Sequence, residues 1–189
     1  MATEALEQAF ASTRSVLANV KADQLDQPTP CASWDVRGLV NHIVGGTQWF
    51  ANNMNEGGSS DDGNDVPDFT DGDYLAAFDA GAKDAVAAFA APGAQEKIID
   101  LPFGKFPGAA FQGLATTDTF THGWDLAKAT GQSTDLEPEL AAQLLEGAKA
   151  TIPDQFRGPD GKAPFGPVAE APASASAADQ LAAFLGRKV

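Results

Sequence analysis

The chain has 189 residues, enough for one domain with a full hydrophobic core and short for two. Twelve basic residues against 26 acidic ones give a net charge of −14, which leaves no basic face for a nucleic acid or an anionic membrane surface. The single cysteine, Cys31, rules out an intrachain disulfide and a cysteine-rich zinc site. No apolar run reaches the roughly 18 residues of a membrane span. The opening MATEALEQAF has no basic cluster of the secretory kind, so a cytoplasmic location is expected.

Residues 3–20 place Leu6, Phe10, Thr13, Leu17 and Val20 on one stripe at helical spacing. Pro28 and Pro30 interrupt the pattern. A second helix follows to about Asn55, with Ser33 as the expected cap and Asp35 in the first turn. Its apolar face is Val36, Leu39, Val40, Ile43, Thr47 and Phe50. Residues 55–72 form a polar, acidic, Gly- and Ser-rich loop, expected to be mobile and without apolar anchors over 56–68. A third helix is expected over about 73–91, ended by Pro92 and Gly93.

Residues 96–111 do not read as helix. Ile98, Ile99, Leu101, Phe103 and Phe106, with Pro and Gly between them, predict a short extended or hairpin excursion. A fourth helix is expected over about 112–129, stopping at Gly131. A fifth starts at Pro138, which suits a first helical turn, and ends at Pro153. Residues 153–175 read as a Pro/Gly-rich strap. Ser176 and Asp179 form a capping-box-like pair for a last short helix that Gly186 ends. The expected architecture is all-α: one antiparallel helix bundle over residues 1–189, with a hairpin-like excursion and a C-terminal strap.

The chain has two histidines, each inside a predicted helix. Asp118 and His122, four apart, project from one face of the fourth helix, with Thr121 and Asp125 on the same side. His42 is flanked by Gly38, Gly45 and Gly46. Each helical glycine costs up to about 1 kcal/mol relative to alanine. A close helix contact accounts for that cost, and so does space kept open for a ligand beside His42. Trp49, and also Trp124, are candidates to line such a space or to pack between helices.

Two histidines and a carboxylate from facing helices make a three-ligand metal site of the kind that keeps a position open. Catalytic zinc sites are built in this way, and nickel, iron or manganese fit the same ligands, since an N/N/O set selects weakly. Asp125 is placed to orient His122 from behind or to accept a proton. The alternative is a local Asp–His salt bridge with no metal. The DDGNDVPD stretch lacks the acid spacing of a calcium loop, and there is no GxGxxG or P-loop. Cys31 lies near a helix start, where a thiol is activated, or it is simply a small buried apolar residue.

The stretches TPCASWDVRGLVNHIVGG (29–46) and TTDTFTHGWDLAKATG (116–131) resemble the mycothiol-dependent maleylpyruvate isomerase N-terminal family, within the wider DinB-like group. FGPVAEAP (165–172) and LAAFLGR (181–187) resemble a short actinobacterial-type subgroup. The resemblance implies a four-helix bundle holding a divalent metal, usually zinc, through residues matching His42, Asp118 and His122. It departs at the acid: the isomerase has Glu where this chain has Asp118. The isomerase also has a C-terminal domain that helps bind the thiol, and the residues after the fifth helix are too few for it.

The expected function is a metal-dependent enzyme, a thiol transferase or isomerase in type. It would activate a low-molecular-weight thiol such as mycothiol, or water, toward a small electrophilic substrate. A non-catalytic metal or small-molecule binding protein of the same fold is the alternative, and an interaction module working through the acidic loop is a third. The oligomeric state is open, with a homodimer allowed.

Overall fold

The structure is a computed structural model that describes residues 3–159, 163 and 165–189. The expected strap over 153–175 includes residues 160–162 and 164, which lie outside the described residues, as do the first two of the N-terminal segment.

The chain is mostly helical, and the described residues form six α-helices and one two-stranded sheet. Helix α1 (Glu4–Leu17) buries Leu6, Phe10, Thr13 and Leu17 of the stripe its spacing predicts, while Val20 lies beyond its end. Helix α2 (Val36–Glu56) begins one turn after the proline break. Its cap is Asp35, not Ser33: the Asp35 carboxylate accepts a hydrogen bond from the Gly38 amide at 2.8 Å. An acid at this position satisfies an orphan N–H and also meets the positive end of the helix dipole. Helix α3 (Tyr74–Ala90) is capped in the same way by Asp73.

The excursion is an antiparallel hairpin of β1 (Ile98–Leu101) and β2 (Gly104–Pro107), with Ile99 opposite Phe106 and Asp100 opposite Lys105. Its second strand runs directly into α4 (Gly108–Ala129), four residues before the helical pattern alone suggests. Gly108 allows this early start, because a Cβ there would meet the Ala94 carbonyl oxygen. Helices α5 (Pro138–Thr151) and α6 (Ala177–Phe184) complete the chain, with Pro138 in the first turn of α5. The Ser176 hydroxyl accepts from the Asp179 amide at 3.1 Å, so the predicted cap of α6 is present.

One core lies among α1–α4 and the hairpin, around Leu39, Phe78, Phe89 and Phe111. A second lies where α5 and α6 cover the other side of α1 and α4, around Phe120, Trp124, Leu140 and Leu181. Helix α4 therefore sits between two cores, and every residue from Thr119 to Ala127 is buried. Among the described residues no helix is long and apolar enough to cross a membrane.

The acidic loop differs from its expected character, since it does carry apolar anchors. Val66 seats on Gly45 of α2 with Phe69 beside it. Asn41 accepts from the Phe69 amide at 2.9 Å, and Trp49 Nε1 donates to the Asp61 carbonyl at 3.1 Å.

Helices α1 and α4 approach closely at Gly123. A Cβ there would lie 2.4 Å from Thr13 Oγ1 and 3.2 Å from Thr13 Cβ. Thr13 Oγ1 donates to the Thr119 carbonyl at 3.0 Å within this contact. Gly123→Ala must displace Thr13 and break that bond. It is expected to destabilise the protein by about 1–3 kcal/mol despite alanine's better helix propensity. Urea unfolding at equal m-value measures this.

Candidate metal centre

The proline break and the Asp35 cap set the register in which α2 carries His42 into the interior. The 3.6-residue period of α4 puts Asp118, His122 and Asp125 on successive turns of one face. Where α2 crosses α4, the His42 and His122 rings meet edge to face, with centroids 4.8 Å apart. One ligand atom from each of His42, Asp118 and His122 lies within 4.8 Å of the others. His42 Nε2 stands 3.8 Å from one Asp118 oxygen, and His122 Nε2 stands 3.5 Å from the other.

These separations are long for hydrogen bonds. They are close to the ~3.4 Å between two donors held tetrahedrally at ~2.1 Å from one ion. His42 Nε2 is buried and has no hydrogen-bond partner among the described residues. A buried polar atom in that state costs roughly 1–3 kcal/mol, and a cation among the three groups would satisfy it. The donor set of two imidazoles and a carboxylate suits a divalent ion. On geometry, burial and chemistry, these residues could hold one.

Behind this group lies a second row of charge. Asp125, with no exposed surface, accepts from His122 Nδ1 at 3.1 Å. That contact favours the tautomer with the proton on Nδ1 and leaves Nε2 to face Asp118 and His42. The other side of Asp125 is held by Arg187, whose Nε and Nη2 reach the two carboxylate oxygens at 3.2 and 3.0 Å. Burial alone would push the His122 pKa down. The Asp118 carboxylate, and then Asp125, outweigh burial and raise it to about 9. Burial likewise disfavours charge on Asp118, but the two imidazoles hold its carboxyl well below the usual carboxylate range. The Asp125 carboxyl is also held low against its burial, by His122 and Arg187.

The expected surroundings of His42 need correction. The glycines keep no open space beside His42, and Gly45 instead lines a cleft under the acidic loop that neither histidine lines. Val66 fills the position beside Gly45, and Gly46 lies near the Phe50 ring. Trp49 does not face His42; it packs against Phe50, Phe111 and Phe103 at the base of the acidic loop. Trp124 is buried against α6, its Nε1 donating to Asp179 at 2.9 Å. The indole at the site is Trp34. It stacks on His42 with centroids 4.2 Å apart and planes at 22°, and meets His122 edge-on at 5.5 Å.

Trp34 and Arg187 are the two site residues that sequence reasoning misses. Trp34 lies just before α2, outside its helical period, and Arg187 is 62 residues from Asp125. No local spacing connects either to a histidine. Cys31 is partly buried.

A family model described as the mycothiol maleylpyruvate isomerase N-terminal domain matches residues 6–127. That stretch contains His42, Asp118, His122 and Asp125, and stops well short of Arg187. Two proteins from two strains of Mycobacterium tuberculosis, both described as uncharacterized, are 48% identical to this chain over 193 residues. The alignment covers 100% of this chain and 97% of each relative. No solved structure matches it. By the extent of the family match and the buried histidine-carboxylate cluster inside it, the chain belongs to the mycothiol maleylpyruvate isomerase N-terminal domain family.

Proposed function

We propose that the chain is a DinB-like four-helix bundle, a single domain over 1–189, with α5, the strap and α6 packed against it. We propose further that it binds one divalent metal, zinc in the first instance, through His42, Asp118 and His122. Its activity would be that of a metal-dependent enzyme joining a low-molecular-weight thiol of the mycothiol type to a small electrophilic substrate. A bound divalent ion supplies Lewis acidity, which lowers the pKa of a thiol or a water and makes a nucleophile available at neutral pH. The observation that carries the reading is the buried, unpartnered His42 Nε2 aimed at a carboxylate it does not hydrogen-bond.

The chain's own residues have separable duties in this scheme. His42 and His122 contribute neutral nitrogen donors, and Asp118 contributes the oxygen. Asp125 holds the His122 proton at Nδ1. Trp34 covers one face of His42 and keeps water off that side. Asp118, whose side chain is 29% exposed, marks the side from which a small molecule arrives.

A second reading is a metal or small-molecule binder without turnover. It draws on the position of a cleft under the acidic loop, lined by Gln48, Trp49, Asp61 and Val66 among others and by neither histidine.

Three measurements follow. Purified protein is expected to carry about one divalent ion per chain, and His122→Ala to carry far less. Equal metal in both by elemental analysis removes His122 from the ligand set. Adding a small thiol to cobalt-loaded protein should change the visible spectrum. No change at saturating thiol, with cobalt bound, favours the second reading. The third concerns the metal-free form. His122 has a folded-state pKa of about 9 against an ordinary 6.5, so its cation stabilises the fold fully below about pH 6.5. That contribution is lost as pH rises through about 9. The melting temperature of metal-free protein should therefore fall between those limits, and the fall should be absent in His122→Ala.

A further inference from the structure

We infer that Arg187 is a positioning residue for the metal centre: acting through Asp125 it fixes His122, and so couples docking of the C-terminal tail to metal binding. The inference rests on the metal reading proposed above.

The tail is built to deliver this one side chain. Asp179 accepts a hydrogen bond from the Trp124 indole N–H and pins α6 to α4. Arg157, from the strap, lies over the Phe184 ring at 4.4 Å and donates to the Phe184 and Gly166 carbonyls. The strap amide of Ala169 donates to the Ala183 carbonyl at 2.9 Å. Gly186 then turns the chain with a left-handed φ of 94°. The Arg187 amide closes the helix end on the Ala182 carbonyl. These contacts point the guanidinium back into the protein, where its side chain is 13% exposed.

There it forms a two-pronged pair with Asp125. A third donor, Nη1, is spent on the Leu185 carbonyl at 3.2 Å, so the guanidinium is tied at both ends. The planar fork fixes the plane of the Asp125 carboxylate as well as its charge. Asp125 Oδ2, shared between Arg187 and His122 Nδ1, therefore has one place to sit. The His122 ring follows it, and with the ring goes the direction of Nε2. Without the fork, the carboxylate would be free to turn, and the donor atom would lose its aim.

An arginine that only stapled the tail would show none of the coupling that follows. If the tail helps the metal, the metal must help the tail to the same degree. The full chain, Arg187→Met and Arg187→Lys are titrated with zinc against a chromophoric chelator. Hydrogen exchange of the amides of 181–188 is followed with and without zinc. Loss of an outer-shell partner typically costs about 10–100-fold in metal affinity. Arg187→Met is therefore expected to weaken zinc by roughly tenfold, and Arg187→Lys, which keeps the charge without the fork, to fall between. Zinc is expected to slow exchange over 181–188 in the wild type and not in Arg187→Met.

Zinc affinities of folded Arg187→Met and wild type that agree within about twofold overturn the inference and leave the metal reading standing. So does tail exchange in the wild type that ignores zinc, a result that needs no variant and decides the matter if Arg187→Met does not fold. A wild type that takes up no zinc removes the metal reading and this inference together.

Discussion

A carboxylate with no access to water has to be met by charge or by hydrogens, and Asp125 is met by both. On one side stands the imidazole of His122, on the other the guanidinium of Arg187. Breaking such a buried pair by removing one partner costs about 3–5 kcal/mol, because the remaining charge is left without solvent. The arrangement of α4 between two cores follows from this need. One face of the helix must reach α2, where His42 lies, and another must receive the tail that carries Arg187. The helix that holds the polar row is thus the most enclosed in the molecule.

The polar row also sets up a competition. His122 lies between two acids, and in the absence of a metal that environment favours a proton on the ring. A metal ligand must be unprotonated, so metal uptake expels the proton. Protons and divalent ions are alternative answers to the same negative cluster, and the cluster does not tolerate having neither. The buried Nε2 of His42 faces the same cluster, and among the described residues no group hydrogen-bonds it.

Much of this was legible in the sequence because it is local. Helical period located the helices, Pro138 and Ser176 marked two of their starts, and the spacing of Asp118, His122 and Asp125 put them on one face. The pairing of His42 with His122 was also within reach, since the chain offers no other histidines. The choice of cap was not: Ser33 and Asp35 are both good caps, and only the path of the chain after Pro30 selects Asp35. The glycines around His42 were ambiguous for a related reason. Missing side chains make room, and sequence does not say for what. Beside Gly45 the room is taken by Val66, from a loop whose composition is almost wholly polar. Trp34 and Arg187 reach the centre by tertiary folding alone, one from a turn and one from the far end of the chain.

The crossing of the strap over the tail adds a last constraint. Gly166 and Gly186 pass so closely that a Cβ on Gly186 would lie 2.5 Å from the Gly166 Cα, and one on Gly166 would lie 3.1 Å from the Gly186 Cα. A side chain at Gly186 would wedge the two segments apart and carry Arg187 with them, and one at Gly166 would require the tail to yield by a few tenths of an ångström. Neither glycine has a side chain that could bind or react. Yet both should drift as little as a ligand does when this sequence diverges, and an insertion between Arg157 and Gly166 should be tolerated only if it leaves their contact in place.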